Sequence, residues 1–206
     1  MKHVEYILNE ESSKESIFIP IPESYKDCCK LIQSDYYRRS GKIVPVRKIF
    51  VKSLLQPCIA AQFWARISAY NKKGFLFYLS KFFLRHYRLL YGISFNSKRV
   101  GYGLYIGHEY LRVTKHAVIG NNVNLSQFST IGSNSGFGAT IGNNVYIGPS
   151  VCIVDDVNIG SNVTIGAGTI IVKDLPANGT YVGNPARRVG DNKHPEYIKN
   201  PWPDIK

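Results

Sequence analysis

Five histidines, His3, His86, His108, His116 and His194, are the candidates for acid–base work in this chain. An imidazole ionises near neutral pH and can take a hydroxyl proton and hand it on. His108 closes the run Gly103-Leu-Tyr-Ile-Gly-His108 at a turn, where a histidine taken alone is an ordinary surface residue. His86 falls inside an aromatic helical run, His3 and His194 lie in the tails, and His116 is the second candidate. Cys28, Cys29, Cys58 and Cys152 form no C-x-x-C pair and have no zinc-spaced histidines beside them. They read as free thiols in a reducing compartment, with no metal expected. Gly101-Tyr-Gly103 and Gly136-Phe-Gly138 complete neither a dinucleotide fingerprint nor a P-loop and read as turns.

What must position these side chains is a repeat. Val113, Ile119, Leu125 and Ile131, then Ile141, Ile147, Ile153, Ile159, Ile165 and Ile171, return every sixth residue in two phases. Four residues after most of them comes a small or β-branched side chain: Val123, Ser129, Val145, Val151, Val157, Val163, Thr169. Glycine often follows directly, as at Gly120, Gly142, Gly148, Gly160 and Gly166. A period of six suits neither an amphipathic helix nor simple strand alternation, and it predicts short strands and turns stacked as a solenoid. Ordinary turns in a sandwich would fall further apart, at roughly 8–12 residues. Between Ile131 and Ile141 the spacing widens to ten, so a small loop should be pushed out over 133–140, and in solenoids such insertions commonly mark the binding face.

This pattern resembles the hexapeptide repeats of left-handed parallel β-helix acyltransferases. Val172-Lys-Asp-Leu-Pro-Ala-Asn-Gly-Thr-Tyr-Val-Gly-Asn-Pro-Ala-Arg-Arg-Val189 resembles that family's terminal signature. The resemblance covers roughly residues 92–190. It implies a mainly β fold, a left-handed parallel β-helix of three to four triangular coils preceded by an N-terminal α-helical segment, with the left hand breaking the usual right-handed rule. Gly103–His108 followed by Ala117-Val-Ile-Gly120 is similar to the part of serine O-acetyltransferases that carries their catalytic histidine. The resemblance therefore implies His108 as general base, acetyl-CoA as donor, and a homotrimer with active sites between subunits. Pro149, Ala167 and Gly168 correspond to the groove for the pantetheine arm, and Lys173 and Arg188 are candidates for its phosphates.

The serine-specific pattern is incomplete. Positions acidic in those enzymes are Ser94, Gly107 and His116 here, and the second histidine of their extruded loop has no counterpart. Glu109 is the one nearby acid that could orient His108. An amino-acid acceptor needs fixed charges opposite its ammonium and carboxylate, so the sequence reading puts a sugar hydroxyl first, in surface polysaccharide assembly. Serine acetylation is the alternative, and a non-catalytic trimeric scaffold is the alternative from another class.

Charge is uneven. Of 26 Lys and Arg against 14 Asp and Glu, residues 1–92 hold sixteen against seven and residues 93–206 ten against seven. The basic half suits anionic lipid, an acidic glycan or nucleic acid, or is a solvated face; without a base-reading motif nucleic acid ranks last. Residues 1–22 read as a loose lead-in. A helix starts at Ser24 and ends at Gly41, and further helices are expected near 46–56, 58–71 and 75–91, divided by Pro45 and Pro57. The run Phe75 to Leu84 contains Lys81 and is about half a membrane span. With acid where a signal peptide has its apolar core, the expectation is a cytoplasmic protein with possible peripheral membrane contact. Its parts are a helical region 1–92, a β-helix domain 93–190 and an extended tail 191–206.

Overall fold

The computed structural model describes residues 1–9, 14–71 and 73–203. The lead-in reading of residues 1–22 is overturned: β1 (Lys2–Asn9) and β2 (Lys14–Ile21) pair antiparallel over their whole length. Alternation explains it. Leu8, Ile17 and Ile19 are buried together with Val118, while Ile7 and Phe18 face out. Pro20 is tolerated because a two-stranded ribbon leaves an edge where no N–H is required.

Four helices follow: α1 (Tyr25–Ser40), α2 (Val46–Ser53), α3 (Pro57–Tyr70) and α4 (Phe75–Tyr91). Their ends are written in the sequence. Ser24 and Asp27 form a capping box on α1, Gly41 and Gly92 close α1 and α4 in the left-handed conformation, and Pro57 opens α3. α3 is the centre of the layer, buried from Cys58 to Ser68, with α1, α2 and α4 packed around it.

From Ser94 the chain winds as a parallel β-solenoid of about four turns. Its strands are β3 (Tyr105–Ile106), β4 (Arg112–Val113), β5 (Val118–Ile119), β6 (Asn124–Leu125), β7 (Thr130–Gly132), β8 (Thr140–Ile141), β9 (Tyr146–Ile147), β10 (Cys152–Val154), β11 (Asn158–Ile159), β12 (Thr164–Ile165), β13 (Ile170–Ile171), β14 (Gly179–Val182) and β15 (Arg187–Asp191). They stack into three faces: β3-β6-β9-β12-β14, closed by antiparallel β15; β4-β7-β10-β13; and β5-β8-β11. Every aliphatic residue of the six-residue period points inward, from Val113 at 9% exposed to Ile171 at 0%. The +4 positions from Val123 to Thr169 are buried with them, so each turn fills its interior with interdigitated methyl groups.

Turns at Gly120-Asn121-Asn122, Gly142-Asn143-Asn144, Gly160-Ser161-Asn162 and Ala177-Asn178 make the edge between the β5-β8-β11 face and the β3 face. Asn122, Asn144, Asn162 and Asn178 all take φ between 55° and 60°, a conformation asparagine tolerates. Their side-chain amides hand hydrogen bonds down the stack, Asn122 to Asn144, Asn144 to Asn162 and Asn162 to Asn178. Glycine before them is a matter of space: a Cβ on Gly142 would lie 2.6 Å from the Ser161 nitrogen.

The first coil would leave a row of unpaired backbone groups, and the helical layer covers it. Arg66 donates to the Val100 and Gly101 carbonyls, Gln62 to Leu104, Arg38 to Gly103 and Arg39 to Ile106. In return Asp35 accepts from the Leu104 N–H and Ser34 from that of Gly103. The tail crosses back over the solenoid, where Trp202 is buried and donates its N–H to Asn122.

Candidate active site

The edge between the β3 and β4 faces gathers four of the residues singled out from sequence. His108 stands at its top, after β3. Below it come Gln127 and Phe128, then Pro149 and Ser150, then Ala167 and Gly168, joined by the bonds Phe128 N to Tyr110 O, Ser150 N to Gln127 O and Gly168 N to Pro149 O. The top turn differs from those beneath it. Ile106 pairs with Leu125 and Arg112 with Thr130, so six steps (106 to 112) cover what takes five in the next coil (125 to 130). Ile147 to Cys152 and Ile165 to Ile170 are also five steps. The surplus residue falls in the Gly107–Tyr110 segment and pushes His108 outward. Its imidazole is exposed, and among the described residues it has no hydrogen-bond partner.

Glu109, the one nearby acid that could orient His108, turns toward the helices instead. It faces the Cys58 thiol on α3 at 3.9 Å, as the opposite pointing of neighbours on an extended chain would have it. Burial first, then the Glu109 charge, push the Cys58 thiol up to about 11, so Cys58 is a neutral packing group and no nucleophile. His116 sits on the following edge, and its carbonyl accepts from Arg99 at 3.4 Å. His86 lies exposed on α4, edge-on to Tyr87.

Lys173 is exposed on that following edge, just after β13. Arg188 is on β15 opposite Tyr181, and its guanidinium is 2.7 Å from Asp191 on the surface. Neither stands beside His108. Five stacked strands, β3 to β14, separate the His108 level from that of Arg188, four steps of about 4.8 Å or roughly 19 Å. The loop inserted after β7 is exposed at Phe137, and its base is pinned by Asn134 N–H to Asp155 at 3.0 Å.

Two groups escaped the sequence reading. Tyr110 and Phe128 stack at 5.6 Å between ring centres on the His108 edge, both more than half exposed. Beside them a cleft of about 250 Å³ is lined by Gly92, Tyr110, Arg112, Phe128, Ser129 and Thr130. Arg112 points outward from β4, and among the described residues no carboxylate pairs with it. Only the folded register reveals them: Tyr110, Phe128 and Ser150 occupy equivalent positive-φ turn positions in successive coils. Among the described residues no cluster of His, Cys, Asp and Glu gathers to hold a metal ion.

Residues 138–173 match the family model described as bacterial transferase hexapeptide (six repeats). Over those residues the coil is similar to that family's hexapeptide repeat. Serine acetyltransferase 3, mitochondrial, of Arabidopsis thaliana is 36% identical over 106 residues, 48% of this chain and 26% of that protein. Serine acetyltransferase 5 of the same plant is 41% identical over 105 residues, 47% and 33% of the two chains. The chain thus spans about a third or less of the length of these relatives. Among solved structures, serine acetyltransferase from Brucella abortus strain S19 superposes with a TM-score of 0.69 at 23% identity, over 82% of this chain and 71% of that one. The Neisseria gonorrhoeae serine acetyltransferase in complex with serine gives 0.61 at 26%, over 79% and 69%. The likeness to solved structures therefore extends beyond the hexapeptide coil.

Proposed function

We propose that the chain is an acetyl-CoA-dependent O-acetyltransferase with His108 as general base. The imidazole takes the proton of an acceptor hydroxyl as its oxygen attacks the thioester carbonyl. The carbon–sulfur bond breaks, the thiolate leaves, and the imidazolium returns the proton to it. No acyl-enzyme is needed. The carrying observation is the widened top turn, which presents an unpartnered imidazole above a column of turn residues that become small from Pro149 downward. That column offers a backbone surface on which the donor's long arm can lie past Pro149, Ala167 and Gly168. Lys173, and Arg188 once it exchanges Asp191, are the cations for its phosphates. One edge gives one wall of a groove, and a second copy in a homotrimer would supply the other.

Serine is the acceptor the relatives favour, ahead of the sugar hydroxyl that the sequence alone put first. Arg112 supports it, since a guanidinium without a carboxylate in the cleft suits the carboxylate of an amino acid. The sugar reading keeps one observation in its favour: Ser94 and Gly107 bring no acid for an ammonium, and Glu109 faces Cys58.

The test measures thioester cleavage from acetyl-CoA with serine and a panel of sugars, alongside the thermal shift with acetyl-CoA alone. His108→Ala should cut turnover roughly 10²–10⁴-fold with the shift retained, and Arg112→Met should raise the KM for serine with kcat little changed. Unchanged turnover in His108→Ala ends the assignment. No thermal shift and no cleavage with any acceptor would leave the scaffold reading.

A further inference from the structure

The sequence holds no Asp or Glu between Asp35 and Glu109, yet carries fourteen Lys and Arg over residues 36–108. Arg38 and Arg66 are buried against the first coil, and Arg39 is tied to Ile106. Most of the others stand on the surface. On α4 this basic stretch meets an unpartnered apolar face. Leu79, Phe83, Leu84 and Tyr87 pack inward on the α3 cluster, but Phe75, Tyr78, Phe82 and Leu89 point the other way and are 78%, 69%, 64% and 64% exposed. Their spacing of three, four and seven keeps them on one stripe. Lys81, Arg85 and Arg88, spaced four and three, run along its flank, all exposed. Exposed Val51, Leu54 and Leu55 at the end of α2 repeat the pattern beside Arg47 and Lys48.

We propose that the outer face of α4 rests on an anionic lipid surface. No helix among the described residues is long and apolar enough to cross a membrane, so α4 would lie flat, about 25 Å long, with rings and leucines between headgroups and cations at the phosphates. Charge decides between occupants. A two-fold contact with a second copy would set the same basic flank against itself, and neither α2 nor α4 contains an acid to answer it. A nucleic acid would satisfy the cations but leave Leu89, Leu90 and Leu76 in water.

The test floats the full chain with phosphatidylcholine vesicles and with vesicles in which a third of the lipid is phosphatidylglycerol. The wild type should bind only the anionic ones, less at high salt as screening shortens the reach of the charges. Lys81→Gln/Arg85→Gln/Arg88→Gln should weaken partition on the order of a hundredfold, three cations at about fivefold each. Phe82→Ser/Leu89→Ser should weaken it at high salt as well, and both variants should keep the wild-type melting temperature because these side chains are exposed. Absence of wild-type binding to anionic vesicles overturns the proposal, whatever the variants do. So does equal binding by the charge variant, an oligomer that dissociates when Phe82 and Leu89 are replaced, or displacement of the protein from vesicles by equimolar duplex DNA.

Discussion

Asp35 on α1 and Arg66 on α3 clasp the two helices through one bidentate contact at the seam with the solenoid, with both nitrogen–oxygen distances 2.9 Å. Each has a second task at the same seam: Asp35 accepts the Leu104 N–H, and Arg66 covers the Val100 and Gly101 carbonyls. Asp35→Ala leaves a guanidinium that is 1% exposed without its counter-charge and a backbone N–H without its acceptor. Breaking a buried pair this way costs about 3–5 kcal/mol, so the urea midpoint should fall sharply; a loss under 1 kcal/mol would mean the seam carries little of the stability. None of this was legible in the sequence, because Asp35 and Arg66 are far apart in the chain and a lone arginine in a helix has a solvated face as its ordinary reading. Arg38 and Arg39 read as cations near the negative pole of α1; they occupy that place and also reach across to Gly103 and Ile106. His108, Pro149, Ala167 and Gly168 were named through the resemblance of their motifs to the acyltransferases, whereas Arg112 and the Tyr110–Phe128 stack required the register between coils.

A coil in this solenoid is defined by its inward side chains and tolerates what is added at an edge. The ten-residue spacing between Ile131 and Ile141 shows it: the loop over 133–138 is extruded, yet Ile131 still pairs with Val113 and Ile153, and Ile141 with Ile119 and Ile159. Removing Asn134 to Phe137 restores a spacing of six. The shortened chain should fold with a melting temperature within a few degrees of wild type, since the deleted residues are exposed and loop closure changes little over four residues. If the loop borders the acceptor, KM for the acceptor should rise while the acetyl-CoA thermal shift stays; a collapse of folding would show that the loop sets the coil. The periodic elements could be read from sequence because an inward aliphatic every six residues has no other regular solution. The β1–β2 hairpin could not, because the Pro20 and Pro22 pair outweighed the alternation of Ile17, Phe18 and Ile19. That alternation gained meaning only once Val118 supplied a surface to bury it.

At the scale of the whole molecule, the two layers should come apart together in alkali. Cys28 on α1 is pushed up to about 12, first by burial and then by Cys29, and its thiol points at the Arg66 carbonyl at 3.6 Å. Cys58 on α3, at about 11, sits in the solenoid's own core cluster. In the unfolded chain both ionise near the ordinary thiol value, close to 9. Between that pH and 11 the folded state therefore holds more protons than the unfolded one, and stability must fall as pH rises. Arg38, whose guanidinium donates to Lys199, Gly103 and Asn124, stays charged and does not offset this. The loss is thus expected to set in above about pH 9. Denaturant midpoints measured from pH 7.5 to 10 should decline in the wild type and decline distinctly less in Cys28→Ala/Cys58→Ala. Equal slopes in the two proteins would mean that hydroxide reaches these thiols without unfolding, and that the helical layer opens away from the solenoid before the coils unwind.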